Sequence, residues 1–119
     1  MSLSNFDIVT LDSPQTNELS QFWAGVLDLH EIEREDGDRW ILLGSVDGRR
    51  VMGFQRGLHI AGSIHLDLSC SVADFDAERE RILRLGAKET REMRSEPYGR
   101  IANFADPEGN LFDLCAYIR

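Results

Sequence analysis

From Thr16 onward, Leu19, Phe22, Trp23, Val26 and Leu27 recur at spacings of three and four, the period of one buried helix face. Before them, Phe6 to Leu11 mixes β-branched and apolar residues in a short run, and Asp12-Ser13-Pro14 supplies breaker and capping chemistry, so the pattern predicts a strand leading into a helix. Asp28 ends that helix. Three short strands are expected next, at His30 to Arg34, Arg39 to Leu43 and Arg50 to Gln55, separated by Asp36-Gly37-Asp38 and Asp47-Gly48-Arg49. Asp-Gly is a strong hairpin-turn signal.

The second half repeats the plan. Ile64 to Val72 alternates His65, Asp67 and Ser69 with Leu66, Leu68 and Cys70, the pattern of a strand with one packed and one outward face. Asp74 is placed to cap a helix that turns Phe75, Ile82, Leu83 and Leu85 inward and leaves Glu78, Arg79, Glu80, Arg81 and Arg84 largely wet, with Gly86 as its stop. Strands at Ala87 to Met93, Arg100 to Ala105 and Leu111 to Ile118 complete a second set. The order strand, helix, three strands therefore occurs twice. The link at about 57–63 carries two glycines and little periodicity, which puts module one at about 4–57 and module two at about 63–119 of one 119-residue domain.

Composition narrows the partners. With 13 basic and 21 acidic residues the net charge is −8, which repels nucleic-acid phosphates and anionic lipid, so neither nucleic acid nor membrane is an expected partner. No run approaches the length of a transmembrane helix and no leader pattern opens the chain, so a cytoplasmic location is expected. Cys70 and Cys115 are too few and too far apart for a disulfide scaffold or a thiolate zinc site and are expected to be reduced, buried packing residues. Gly-x-Ser-x-Gly, Gly-x-x-x-x-Gly-Lys and Gly-x-Gly-x-x-Gly are all missing from the sequence, which removes the usual hydrolase, nucleotide-binding and dehydrogenase readings.

Two stretches carry a family resemblance. Leu11-Asp12-Ser13-Pro14 with Leu19, Phe22-Trp23 and Val26-Leu27 resembles the first module of the vicinal oxygen chelate superfamily. His65-Leu66-Asp67-Leu68, Asp74, Leu85-Gly86-Ala87 and Asp106-Pro107-Glu108-Gly109-Asn110 resemble the second. That superfamily includes glyoxalase I, extradiol dioxygenases, fosfomycin-modifying enzymes and metal-free bleomycin-binding proteins. The resemblance implies an α+β fold in which two βαβββ modules form a curved mixed sheet around a pocket, usually as a homodimer. The Asp106 to Asn110 segment also stands by itself as a turn, with Pro107 at the second position and Gly109 free to take positive φ.

The resemblance further implies one divalent metal (Zn, Fe, Mn, Ni or Mg), with ligands on the first and last strand of each module. In module one it puts Ile8, which cannot coordinate, at one position and leaves Gln55 as the only weak oxygen ligand on the last strand. In module two it points to His65 or Asp67 on the first strand, and to Asp113, four residues beyond Gly109, on the last. The expected metal set is thus His65 and Asp113, with Asp67 or Gln55 as a further oxygen donor. Asp67 is the candidate catalytic carboxylate for moving a proton. Trp40, Phe54, Gln55, Tyr98 and Tyr117 are candidate ligand-pocket residues among the strand candidates. Phe22 and Trp23 are assigned to the core, and His30 and His59 are read as solvated histidines. The leading expectation is a small-molecule-binding protein with an incomplete metal site. The alternative is a divalent-metal-dependent lyase, isomerase or dioxygenase, and a plain interaction module is the third.

Overall fold

The computed structural model of the chain describes residues 2–3, 6–62 and 65–118. It divides into two units, Met1–His59 and Ile60–Arg119. Unit one contains β1 (Val9–Ser13), α1 (Thr16–Leu27), β2 (His30–Glu35), β3 (Trp40–Gly44) and β4 (Arg50–Arg56). Its four strands form a mixed sheet in the order β1-β4-β3-β2, with β1 parallel to β4 and the other pairs antiparallel. Unit two repeats this with β5 (His65–Ser69), α2 (Phe75–Arg84), β6 (Lys88–Glu96), β7 (Gly99–Ala105) and β8 (Leu111–Tyr117), in the order β5-β8-β7-β6. The fold class expected from the sequence is therefore the one found: two βαβββ modules, each a mixed sheet with one helix.

In unit one, Leu19, Phe22, Trp23 and Val26 of α1 are buried, and the helix lies against β1, β3 and β4. Ile41, Leu43, Met52 and Phe54 are buried on those strands. Phe22 and Trp23 meet edge to face with ring centroids 5.3 Å apart. Asp28 closes α1 in the left-handed region at φ 53°. In unit two, Phe112, Leu114 and Ala116 form the buried alternate set of β8, with Phe104 stacked on Phe112 at 5.2 Å. The opposite face of β8 carries Asp113, Cys115 and Tyr117.

Several boundaries differ from the sequence expectation, each for a local reason. β1 begins at Val9 rather than Phe6, because its partners run from Met52 to Arg56; Phe6 is 86% exposed. Asp12 and Ser13 extend that strand instead of capping the helix, and the fully buried Ser13 accepts the Gln15 N–H through Oγ at 2.8 Å. Asp74 makes no side-chain cap. Ser71 holds the turn before the helix, accepting the Asp74 N–H through both its carbonyl and its hydroxyl. Leu85 is not inward but 38% exposed, since α2 ends at Arg84. β5 ends at Ser69, and Val72 is exposed in the following turn; Ile64 lies outside the described residues. β6 runs three residues past Met93, to Glu96, with two register shifts against β7. Cys70 is only half-buried, whereas Cys115 is buried.

Candidate functional site

The site is assembled by strand parity. β5 and β8 run parallel with Asp67 beside Asp113 and His65 beside Leu111, and side chains two residues apart share a face. His65, Asp67 and Asp113 consequently project from one face, opposite the apolar set that packs beneath α2. One ligand atom from each lies within 4.8 Å of the others. His65 Nε2 is 3.5 Å from Asp67 Oδ1 and 4.0 Å from Asp113 Oδ2.

Those separations exceed the roughly 2.7–3.2 Å of a hydrogen bond. They suit the edges of a coordination shell: two donors each about 2.0–2.2 Å from a shared ion stand about 3 to 4 Å apart over the usual range of angles. One imidazole nitrogen and two carboxylate oxygens form a donor set acceptable to Mn, Fe, Zn, Ni or Mg. Asp113 is the least exposed of the three, at 25% of its side chain against 55% for His65 and 66% for Asp67.

Asp113 is also the most firmly held. Asn103 stands opposite it on β7 and donates Nδ2 to Asp113 Oδ1 at 2.6 Å. Arg94 on β6 donates Nη1 to Asn103 Oδ1 at 2.8 Å and lies 3.6 Å from Glu96. Sequence reading missed Asn103 and Arg94, although a signal existed. The Asp106 turn pairs Ala105 with Leu111, and counting outward from it sets Asn103 against Asp113. The turn itself is built by the buried Asp106 carboxylate, which accepts the Glu108 and Asn110 backbone N–H groups and the Asn110 amide. Gly109 takes φ 85° within it.

Farther along the same face, Cys115 hydrogen-bonds Tyr117 and so pushes the Tyr117 phenol above its ordinary range. Tyr98 is not on a strand but in the turn between β6 and β7, its ring centroid 6.3 Å from that of Tyr117. A cavity of about 370 Å³ opens beside them, lined by Ser69, Cys70, Ser71, Val72 and Tyr117. Burial pushes the Cys70 thiol up, which keeps it protonated and poorly nucleophilic.

The unit-one candidates are arranged differently. Phe54 is fully buried in the core, with the parity on β4 of the buried Met52. Gln55 is exposed beside Asp12 on β1 and Trp40 on β3. Trp40 lies over Gly53 and donates its indole N–H to Glu33 at 2.7 Å. Ile8 precedes β1, and Asp12 on β1 is the residue paired with Gln55. His59 is not simply solvated: Nδ1 is 2.9 Å from the Asp12 carbonyl, and Nε2 is buried with no partner among the described residues.

Comparison with known proteins agrees with this architecture. A family model described as a glyoxalase-like domain matches residues 8–115. No curated protein matches the sequence significantly. Among solved structures, the fosfomycin resistance protein FosX from Mesorhizobium loti is 23% identical with a TM-score of 0.75, over 99% of this chain and 95% of that one. FosX from Listeria monocytogenes, complexed with Mn(II) and sulfate, is 22% identical with a TM-score of 0.76, over 99% and 93%. A glyoxalase/bleomycin resistance protein/dioxygenase family enzyme from Burkholderia phytofirmans has a TM-score of 0.81 at 17% identity, over 97% and 100%. At such identities the likeness is one of fold.

Proposed function

Because this chain belongs to the glyoxalase-like domain family, we propose that it engages a small molecule bearing paired oxygen atoms through a divalent cation held by His65, Asp67 and Asp113. The observation that carries the reading is the convergence of these three donors on one sheet face. The sequence offers two strong donors, and Asp67 supports a cation by adding a third. Three protein ligands with open positions is the usual arrangement of a working rather than a structural metal site. A bound cation would polarise a ligand oxygen. The chain's own residues have separate tasks: Asp113, pinned by Asn103, fixes the position, and His65 supplies the nitrogen. Tyr98, Tyr117 and the cavity beside them would meet the ligand's apolar body. Gln55 is not used.

The Mn(II) named for the Listeria relative makes manganese the first ion to test. Calorimetric titration of untagged, metal-stripped protein should give one Mn(II) per chain, and His65→Ala and Asp113→Ala should each remove it. Failure of the wild type to bind at millimolar Mn(II), or undiminished binding by both variants, would refute the proposal.

A second reading, turnover, is favoured by the 66% exposure of Asp67, which leaves its carboxylate open to a substrate proton. Asp67→Asn separates the roles. A ligand Asp67 predicts metal affinity weakened about 10-fold or more, whereas a proton acceptor predicts retained affinity with loss of proton exchange from a bound hydroxy-ketone. The same proposal has the chain working as a homodimer.

A further inference from the structure

Asp113 has two oxygens, and the hydrogen bonds around it treat them differently. Oδ1 accepts from Asn103 Nδ2 at 2.6 Å, while Oδ2 is the atom nearest the His65 ring, at 4.0 Å. An asparagine amide can be turned over without changing its outline, so its direction must be argued from its neighbours. Arg94 settles it. A guanidinium only donates, so the Asn103 atom 2.8 Å from Arg94 Nη1 is the carbonyl oxygen, and the amide NH2 faces Asp113. Arg94, Asn103 and Asp113 lie on the successive strands β6, β7 and β8, an arrangement fixed by the sheet rather than by a loop.

We propose that Asn103, oriented by Arg94, is a positioning residue that reserves one Asp113 oxygen and thereby keeps the cation site open to bidentate ligands; this rests on the cation reading above. A carboxylate with both oxygens free can take two coordination positions, whereas one already accepting a strong hydrogen bond on one oxygen offers the other. His65 Nε2, one oxygen of Asp67 and one of Asp113 then occupy three positions. A six-coordinate ion held there would keep three more, enough for both oxygens of a chelating ligand and a water. If Asn103 is removed, Asp113 is free to chelate, which would leave two positions instead of three, so a bidentate ligand must take both and expel the water while a monodentate one still has a choice.

The test uses the Mn(II)-loaded chain with oxalate as bidentate probe and acetate as monodentate probe, affinities being read from Mn(II) electron paramagnetic resonance and thermal melts reporting folding. Asn103→Ala should weaken oxalate about 10-fold or more while acetate changes by less than about threefold. Arg94→Met should give a smaller shift in the same ratio, and Arg94→Lys should restore most of it. Arg94→Met also serves if Asn103→Ala does not fold. An unchanged oxalate-to-acetate ratio in a folded variant that still binds Mn(II) overturns the positioning role alone, as does equal loss of both probes. A wild type that binds no Mn(II) overturns the cation reading and this inference with it.

Discussion

At Gly53 a missing side chain decides where an aromatic one can lie. A Cβ there would come within 2.2 Å of Trp40 Cη2 and 2.8 Å of Cζ3, so Gly53→Ala must push the indole off the sheet or bend β4. The expected cost is about 1–3 kcal/mol, with a red shift in emission, since Trp23 is fully buried and Trp40 is the ring able to gain water. Unchanged emission with a melt shifted by less than about 0.5 kcal/mol would show that Trp40 does not rest there. Single residues were legible where a period of three to four marks them, as for Phe22 and Trp23 on the helix stripe; His65, Asp67 and Asp113 were singled out by the family resemblance, and alternation gave only the face they share. Phe54 was misread because an aromatic on a strand is equally suited to pocket and core until the parity of its neighbours is known. Asn103 and Arg94 were missed because each looks like an ordinary polar strand residue until its cross-strand partner is identified.

Among elements, the two helices are held by different means. α1 buries four apolar side chains, Leu19, Phe22, Trp23 and Val26, and full burial of such a side chain contributes about 1.5–3 kcal/mol. α2 buries only Phe75 and Ile82 and is additionally clasped by polar contacts. Arg79 makes a bidentate pair with Glu89 of β6 at 2.7 and 2.5 Å. Arg100 of β7 meets Asp76 at 2.9 Å with its guanidinium 4.6 Å from the Phe75 ring centroid. The hydrogen bonds from Arg79 hold the Glu89 carboxyl below its ordinary range. A folded pKa depressed in this way gives stability that is present above the unfolded value of about 4.3 and is lost as pH falls through the lower folded value. Glu89→Gln should therefore cost about 0.5–1 kcal/mol at pH 7, allowing for solvent screening, and nothing near pH 2. Denaturant melts at both pH values measure this, and an equal loss at both would mean that packing rather than charge holds the clasp. The sequence made the number and order of elements legible, because each carries its own period. It left their ends less certain: β1 is displaced and β6 lengthened, since a strand stops where its neighbour stops offering hydrogen bonds.

For the whole molecule, a net charge of −8 suits a neutral or cationic encounter, and no helix among the described residues is long and apolar enough to cross a membrane. β2 is exposed at every residue and lies at the edge of its sheet. It is laced with charge, including an Arg34–Glu31 pair at 2.7 Å, which discourages uncontrolled strand addition. If the chain works as the homodimer proposed above, light scattering at high protein concentration should give twice the 13.5 kDa chain mass. A strictly monomeric mass would count against it. The strand order also has a consequence for how the protein is made. β4, the last element of unit one to leave the ribosome, lies between β1 and β3, and β8 lies likewise between β5 and β7. A nascent chain that ends before residue 50 thus holds β1 with no neighbour to pair with, and α1 without the sheet centre it covers. Each unit must wait for its final strand before its sheet can close, so the unfinished chain passes through two successive intervals in which an apolar stripe lacks its cover.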